Sequence, residues 1–271
     1  MPPFEDLIFF AIALAGAGAV AGVLAGLFGI GGGAILVPVF YQVFGLVGID
    51  DAVRMHVAVG TSLAIIVPTS VRSMLSHRKR GAVDDALLRN WAIAVPLGAV
   101  LASGVAAYAS SEALRGIFAA IAVVIGVRMV LNRKSWRLGN DLPRNPYTWL
   151  VGVAIGLLSG LMGVGGGVLN NTFMTSFNRP VHQAVATSAG VGVLIAIPGM
   201  IGYIIAGWGE AGLPPFSTGY VNWITAAMMI PGSMLMAPVG ANLAHRLSRR
   251  QLEVLLGIFL FLVAARFFLS L

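Results

Sequence analysis

The chain has 271 residues, 58% of them hydrophobic and only 10% charged, with a mean hydropathy of +0.91. A soluble domain carries about 25% charged residues. A soluble globular fold is therefore excluded, and the recurring apolar runs near 20 residues read as membrane crossings. The net charge of +7 does not signal a nucleic-acid partner. The basic residues sit in loops between apolar runs, where they set membrane orientation, and not on a soluble face with interleaved aromatics. The absence of cysteine excludes disulfides, thiolate metal sites and a cysteine nucleophile.

The first apolar run, Leu7–Phe28, follows Glu5 and Asp6 with no basic residue before it. A signal peptide wants a basic start, so this run reads as a retained membrane element. Ala34–Leu46 comes next, too short to span and placed directly behind a glycine cluster. His56–Leu75, Trp91–Tyr108 and Leu114–Leu131 complete the first half, and a polar stretch, Asn132–Pro146, ends it. The second half repeats the order: Trp149–Met162, a short Val168–Phe177 behind another glycine cluster, then Ala184–Ala206, Val221–Leu243 and Leu252–Leu269. Pro68, Pro96, Pro198 and Pro231 fall inside these segments and should kink them. Arg72, Arg128 and Arg266 lie near segment ends and should snorkel to headgroups.

The resemblance between the halves is visible in the letters. Gly22–Leu36, GVLAGLFGIGGGAIL, matches Gly156–Asn170, GLLSGLMGVGGGVLN, at an offset of 134, and HVAVGTS (His56–Ser62) matches HQAVATS (His182–Ser188) at an offset of 126. Such self-similarity is the signature of a duplicated unit.

Charge sets direction. Loops holding Arg78, Lys79, Arg80 and Arg89, then Arg133, Lys134, Arg137 and Arg144, then Arg246, Arg249 and Arg250 should be cytoplasmic. The start of the chain, the Asp50–Asp51 loop and the Glu210 loop should be external. With these assignments each half makes three net crossings, and the two halves must run in opposite senses. The expected fold is an all-α integral membrane protein of two inverted-topology repeats, residues 1–138 and 139–271. Each would be a glycine-broken re-entrant hairpin followed by three membrane helices, with both termini external.

The glycine clusters carry the chemistry. Unpaired backbone in lipid costs several kcal/mol per group, so irregular chain at that depth must be buried in protein or line a cavity. Gly31, Gly32 and Gly33, and again Gly165, Gly166 and Gly167, expose amides with no side chain in the way. Each set precedes a helix, whose N-terminus carries roughly half a positive charge. Two such ends meeting at the midplane would bind an anion without a buried Lys or Arg. Close helix packing is the alternative for Gly22, Gly26, Gly156 and Gly160. Thr61, Ser62, Thr187 and Ser188 could donate hydroxyls to an oxyanion, or bond back to their own helices. His56 and His182 are candidates for a coupling proton. Asn170 and Asn171 replace Leu36 and Val37 of the first half and should face a polar cavity.

The paired motifs AGLFGIGGGAILVP and SGLMGVGGGVLNN, with HVAVGTS and HQAVATS, resemble the TauE/SafE family of sulfite and organosulfonate exporters over essentially the whole chain. The resemblance implies a multi-pass protein of the bacterial cytoplasmic membrane that moves small sulfur anions such as sulfite or sulfoacetate. Its partners would be that anion and membrane lipid, with an oligomer open; no nucleic acid and no cofactor are expected. Thr172 stands where the first motif has Pro38, so the two half-sites should differ. The alternatives are a transporter of another small anion or a non-transporting membrane subunit. An intramembrane enzyme is disfavoured by the lack of H-E-x-x-H, G-x-S-x-G or paired acids in the apolar segments, a cation transporter by the lack of intramembrane acids, and ATP use by the lack of a Walker motif.

Overall fold

A computed structural model describes residues 16, 18–23, 33–131, 138–244 and 247–269. Helix α1 is described over 18–23. It is followed by α2 (Gly33–Leu46), α3 (Asp51–Lys79), α4 (Asp85–Asn90), α5 (Ala94–Tyr108) and α6 (Ser111–Leu131). The second half holds α7 (Tyr147–Met162), α8 (Gly167–Ser176), α9 (Val181–Ala206), α10 (Trp223–Ala244) and α11 (Arg249–Phe268). Between α9 and α10 lies an antiparallel pair of two-residue strands, β1 (Ser217–Thr218) and β2 (Val221–Asn222). Among the described residues α3, α6, α9 and α11 are long and apolar enough to cross a membrane, and α2, α5, α7 and α10 contribute shorter apolar helices. The outer surface exposes most of Ile93, Val124, Leu235 and Leu262, which suits hydrocarbon. The protein is a multi-pass, all-α membrane protein.

At the centre α3 packs on α9; α5 packs on α7 and α9, and α6 on α11. The short helices α2 and α8 lean on α3 and α9 respectively. His56, near the start of α3, stacks on Tyr220, which lies beyond the end of α9, at 4.6 Å between ring centroids. Thr187, near the start of α9, accepts a hydrogen bond from Asp84, beyond the end of α3. The two packed helices therefore run antiparallel.

Close backbone contact explains several glycines. A Cβ on Gly98 would sit 2.1 Å from the Val153 carbonyl oxygen, and one on Gly156 2.1 Å from that of Val95. Gly160 meets Ala102 and Gly152 meets Trp91. Along α5 and α7 the small residues thus set how near two backbones lie. Gly22 of α1 does the same against Ser233 of α10.

Four local readings change. The charged stretch after α3 is not a plain loop: Asp84 accepts from the Leu87 amide and so caps the one-and-a-half-turn helix α4. Helix α3 begins at Asp51, five residues before His56, because the Asp50 carboxylate accepts from the Ala52 amide. Pro96 lies in the first turn of α5, where a missing amide hydrogen breaks no helical bond, and so does not kink a span. Arg128, half-buried, donates to the Thr172 carbonyl and the Ser176 hydroxyl at the end of α8, a C-terminal cap. Its guanidinium is spent on protein.

Candidate functional site

The second glycine turn is built by two left-handed residues. Gly163 (φ 63°) ends α7: its amide donates to the Gly160 carbonyl and the Val164 amide to Ser159, the paired bonds of a Schellman stop. Gly166 (φ 70°) then turns the chain into α8 with no side-chain cap. Here a Cβ would be strained by conformation and crowded by Ile195 and Val191. The amides of Gly167, Val168 and Leu169 fall in the first helical turn, with no helical carbonyl ahead of them. Gly165 lies beside Ile66 and Ser70 of α3 and Gly192 of α9.

Two serines, one from each half, converge on this turn. Ser62 of α3 donates to the Gly163 carbonyl at 2.8 Å. Ser188 of α9 lies 2.8 Å from Asn171 Oδ1 and 3.5 Å from the Gly167 carbonyl, and accepts from Asn170 Nδ2 at 2.7 Å. Asn170 is fully buried, and its Oδ1 has no partner among the described residues. The asparagines thus face a polar cluster in the core.

A void of about 10 Å³ lies beside the cluster, lined by Ala34, Ile125, Ser159, Met162, Val164, Val168, Leu169 and Leu260. Ala34 belongs to the first turn of α2, and Val168 and Leu169 to that of α8. The beginnings of α2 and α8 meet here. Ser159 is fully buried and its hydroxyl has no partner among the described residues. The sequence reading passed over Ser159. Its signal was available, since the offset of 134 puts Ala25 at the matching place in the first half.

The remaining candidates lie elsewhere. Thr61 accepts from the Asn222 amide at 3.0 Å and Thr187 from the Asp84 amide at 2.9 Å, both threonines fully buried. Asn222 in turn accepts from the Thr225 amide at the start of α10, as Asp84 does for α4. Each threonine therefore holds the capping residue of a helix in the opposite half. His56 Nε2 donates to the Ala106 and Ala109 carbonyls at 3.1 and 3.0 Å, which places its proton on that nitrogen. Its Nδ1 is buried without a partner among the described residues. Burial and the neighbouring Glu210 carboxylate push the phenol of Tyr220, stacked on His56, above its ordinary range. His182 is exposed. Gly33 opens α2, and Gly31, Gly32 and Gly26 lie outside the described residues.

A bundle of apolar spans closed around the Gly163–Gly167 turn and a buried polar cluster fits a membrane transporter. Residues 14–267 match the family described as Sulfite exporter TauE/SafE, and the chain belongs to that family. It is 32% identical over 253 residues to a "Probable membrane transporter protein" of Haemophilus influenzae, covering 93% of this chain and 96% of that one. A relative of the same description from Methanocaldococcus jannaschii is 29% identical over 94% of this chain and 93% of its own. YunE of Bacillus subtilis, likewise described, is 27% identical over 92% and 94%. The family consists of transporters and not enzymes. No solved structure matches the chain significantly.

Proposed function

We propose that the protein moves small sulfur-containing anions, sulfite or organosulfonates such as sulfoacetate, across the bacterial cytoplasmic membrane by alternating access. The observation that carries this reading is the convergence of Ser62, Ser188, Asn170 and Asn171 on the Gly163–Gly167 turn, where α8 begins. The unbonded first-turn amides of α8 suit an oxyanion, and the helix dipole favours its charge; Ser62 and Ser188 would turn their hydroxyl hydrogens from their present acceptors to reach it. Ser159 supplies a further donor from α7. The void holds at most one water, so in this reading the anion binds only when the beginnings of α2 and α8 part.

In this reading residues 1–138 and 139–271 are inverted repeats with both termini external, rocking about the α3–α9 contact. The antiparallel run of those helices and the matched Thr61–Asn222 and Thr187–Asp84 bonds support it. Proton coupling belongs to His56, whose unprotonated Nδ1 would take up a second proton in another conformation; His182 serves the opposite face.

The test is thermal stability of the purified protein with sulfite, thiosulfate, sulfate, sulfoacetate, isethionate or taurine, against choline. A ligand at 100 times its Kd stabilises by about 2.7 kcal/mol, a shift a melting curve resolves. One or two sulfur anions should raise Tm while choline does not. A flat response across the panel would sink the sulfur-anion reading.

A further inference from the structure

The end of α3 and helix α4 border a shallow, open cavity of about 430 Å³, lined by Met74, Arg78, Asp85, Leu88, Arg89 and Ala92. Its size is that of a small-molecule site, far larger than the void at the glycine turn. Two guanidiniums and one carboxylate face it. Arg78 pairs with Asp85 at 3.1 Å, and Arg89 Nε donates to the Asp85 backbone carbonyl at 3.3 Å. One positive charge is left in excess, with exposed Lys79 and Arg80 beside it. Met74, Leu88 and Ala92 give the cavity an apolar wall.

The cavity stands in line with the glycine turn. Ile66 and Ser70 of α3 touch Gly165, and Ser70 also touches Gly192; Met74 and Arg78 continue the same four-residue row into the cavity. Eight residues at 1.5 Å each put Arg78 about 12 Å along the axis from Ser70. Helix α4, which forms the second wall, is tied to the other half. Asp84, the cap of α4, is bonded to Thr187, and Leu88 fills the space over Gly190 of α9. Separation of α3 from α9 would therefore open this cavity towards the turn.

We propose that this cavity is the waiting site for the transported anion, taking a small sulfonate or sulfite with its oxygens on Arg78 and Arg89 and any short carbon tail on Met74 and Leu88. The proposal rests on the anion-transport reading. Asp85 holds Arg78 in place when the cavity is empty and competes with the anion for it.

The test is flux of sulfite and isethionate in proteoliposomes at several salt concentrations. The double variant Arg78→Gln/Arg89→Gln should raise KM about tenfold at low ionic strength, the scale of electrostatic steering, and flatten its salt dependence. Arg78→Lys/Arg89→Lys should recover most of the affinity, Asp85→Asn should lower KM, and Arg144→Gln, outside the cavity, should leave it alone. Wild-type flux with an unchanged KM and salt slope in the double variant would overturn the waiting site and leave transport standing. Absence of flux by the wild type for both anions would overturn both. An anionic phospholipid headgroup shares the same chemistry, so phosphatidylglycerol retained on each variant is weighed by native mass spectrometry. Its loss from the double variant, with KM unchanged, would assign the cavity to lipid and overturn the proposal.

Discussion

Thr61 and Thr187 each present a hydroxyl oxygen to a backbone amide in the opposite half. Replacing Thr61 by Val keeps the shape and leaves the buried Asn222 amide unpaired, at a cost of about 1–3 kcal/mol. The thermal midpoint of Thr61→Val should fall accordingly and that of Thr61→Ser much less; equal midpoints would remove the bond from the stability account. Ser159 should behave in the opposite way. Its buried hydroxyl is unpaired among the described residues, so Ser159→Ala should raise the melting point while weakening sulfur-anion binding in the same titration. A gain in stability with affinity intact would leave Ser159 no part in binding. The polar residue types were legible in the sequence, and so was their doubling. What each hydroxyl bonds was not, because Thr61 and Asn222 are 161 residues apart and no local pattern encodes that meeting.

Helices α5 and α7 are held at backbone contact by Gly98 and Gly156. In the same helix Gly104 has nothing within 4 Å of where a Cβ would stand. Gly98→Ala forces the helices apart and should cost on the order of 1–3 kcal/mol or more. Gly104→Ala gains from a stiffer unfolded chain, by about 0.4–1 kcal/mol. Melting curves of the pair separate contact from propensity, and a neutral Gly98→Ala would mean the helices have slack. The sequence offered packing and anion binding as rival readings of its glycines. Gly156 and Gly160 sit in that packing, whereas Gly163 and Gly166 are left-handed at a turn. The distinction is one of backbone angle, which composition does not carry. Helix α4 was hidden for a related reason. GAVDDALLR is too short and too charged to show apolar periodicity, and its helix is nucleated by a cap and by Leu87 and Leu88 packing inward.

The ends of the molecule give the test of orientation. The chain contains no cysteine, so single cysteines can be introduced cleanly. Lys79→Cys and Glu210→Cys, both at exposed positions, should react with a membrane-impermeant maleimide from opposite sides, Lys79→Cys from the cytoplasm. Labelling of both from one side would contradict inverted halves. At this scale the apolar runs were readable because hydrocarbon imposes length on every span. The pairing of spans, α5 with α7 or α6 with α11, depends on side-chain fit and lay beyond the letters.

The reciprocal threonine bonds also bear on how the chain is made. Thr61 must wait for Asn222 to be synthesised, and at 5–20 residues per second that is roughly 8–32 s. During that interval the first half sits in the membrane with His56 and Thr61 lacking the neighbours they have in the finished protein, while Asp84 awaits Thr187. A ribosome stalled before Asn222 would leave Thr61 without the amide it accepts from, a state that quality-control proteases are suited to clear.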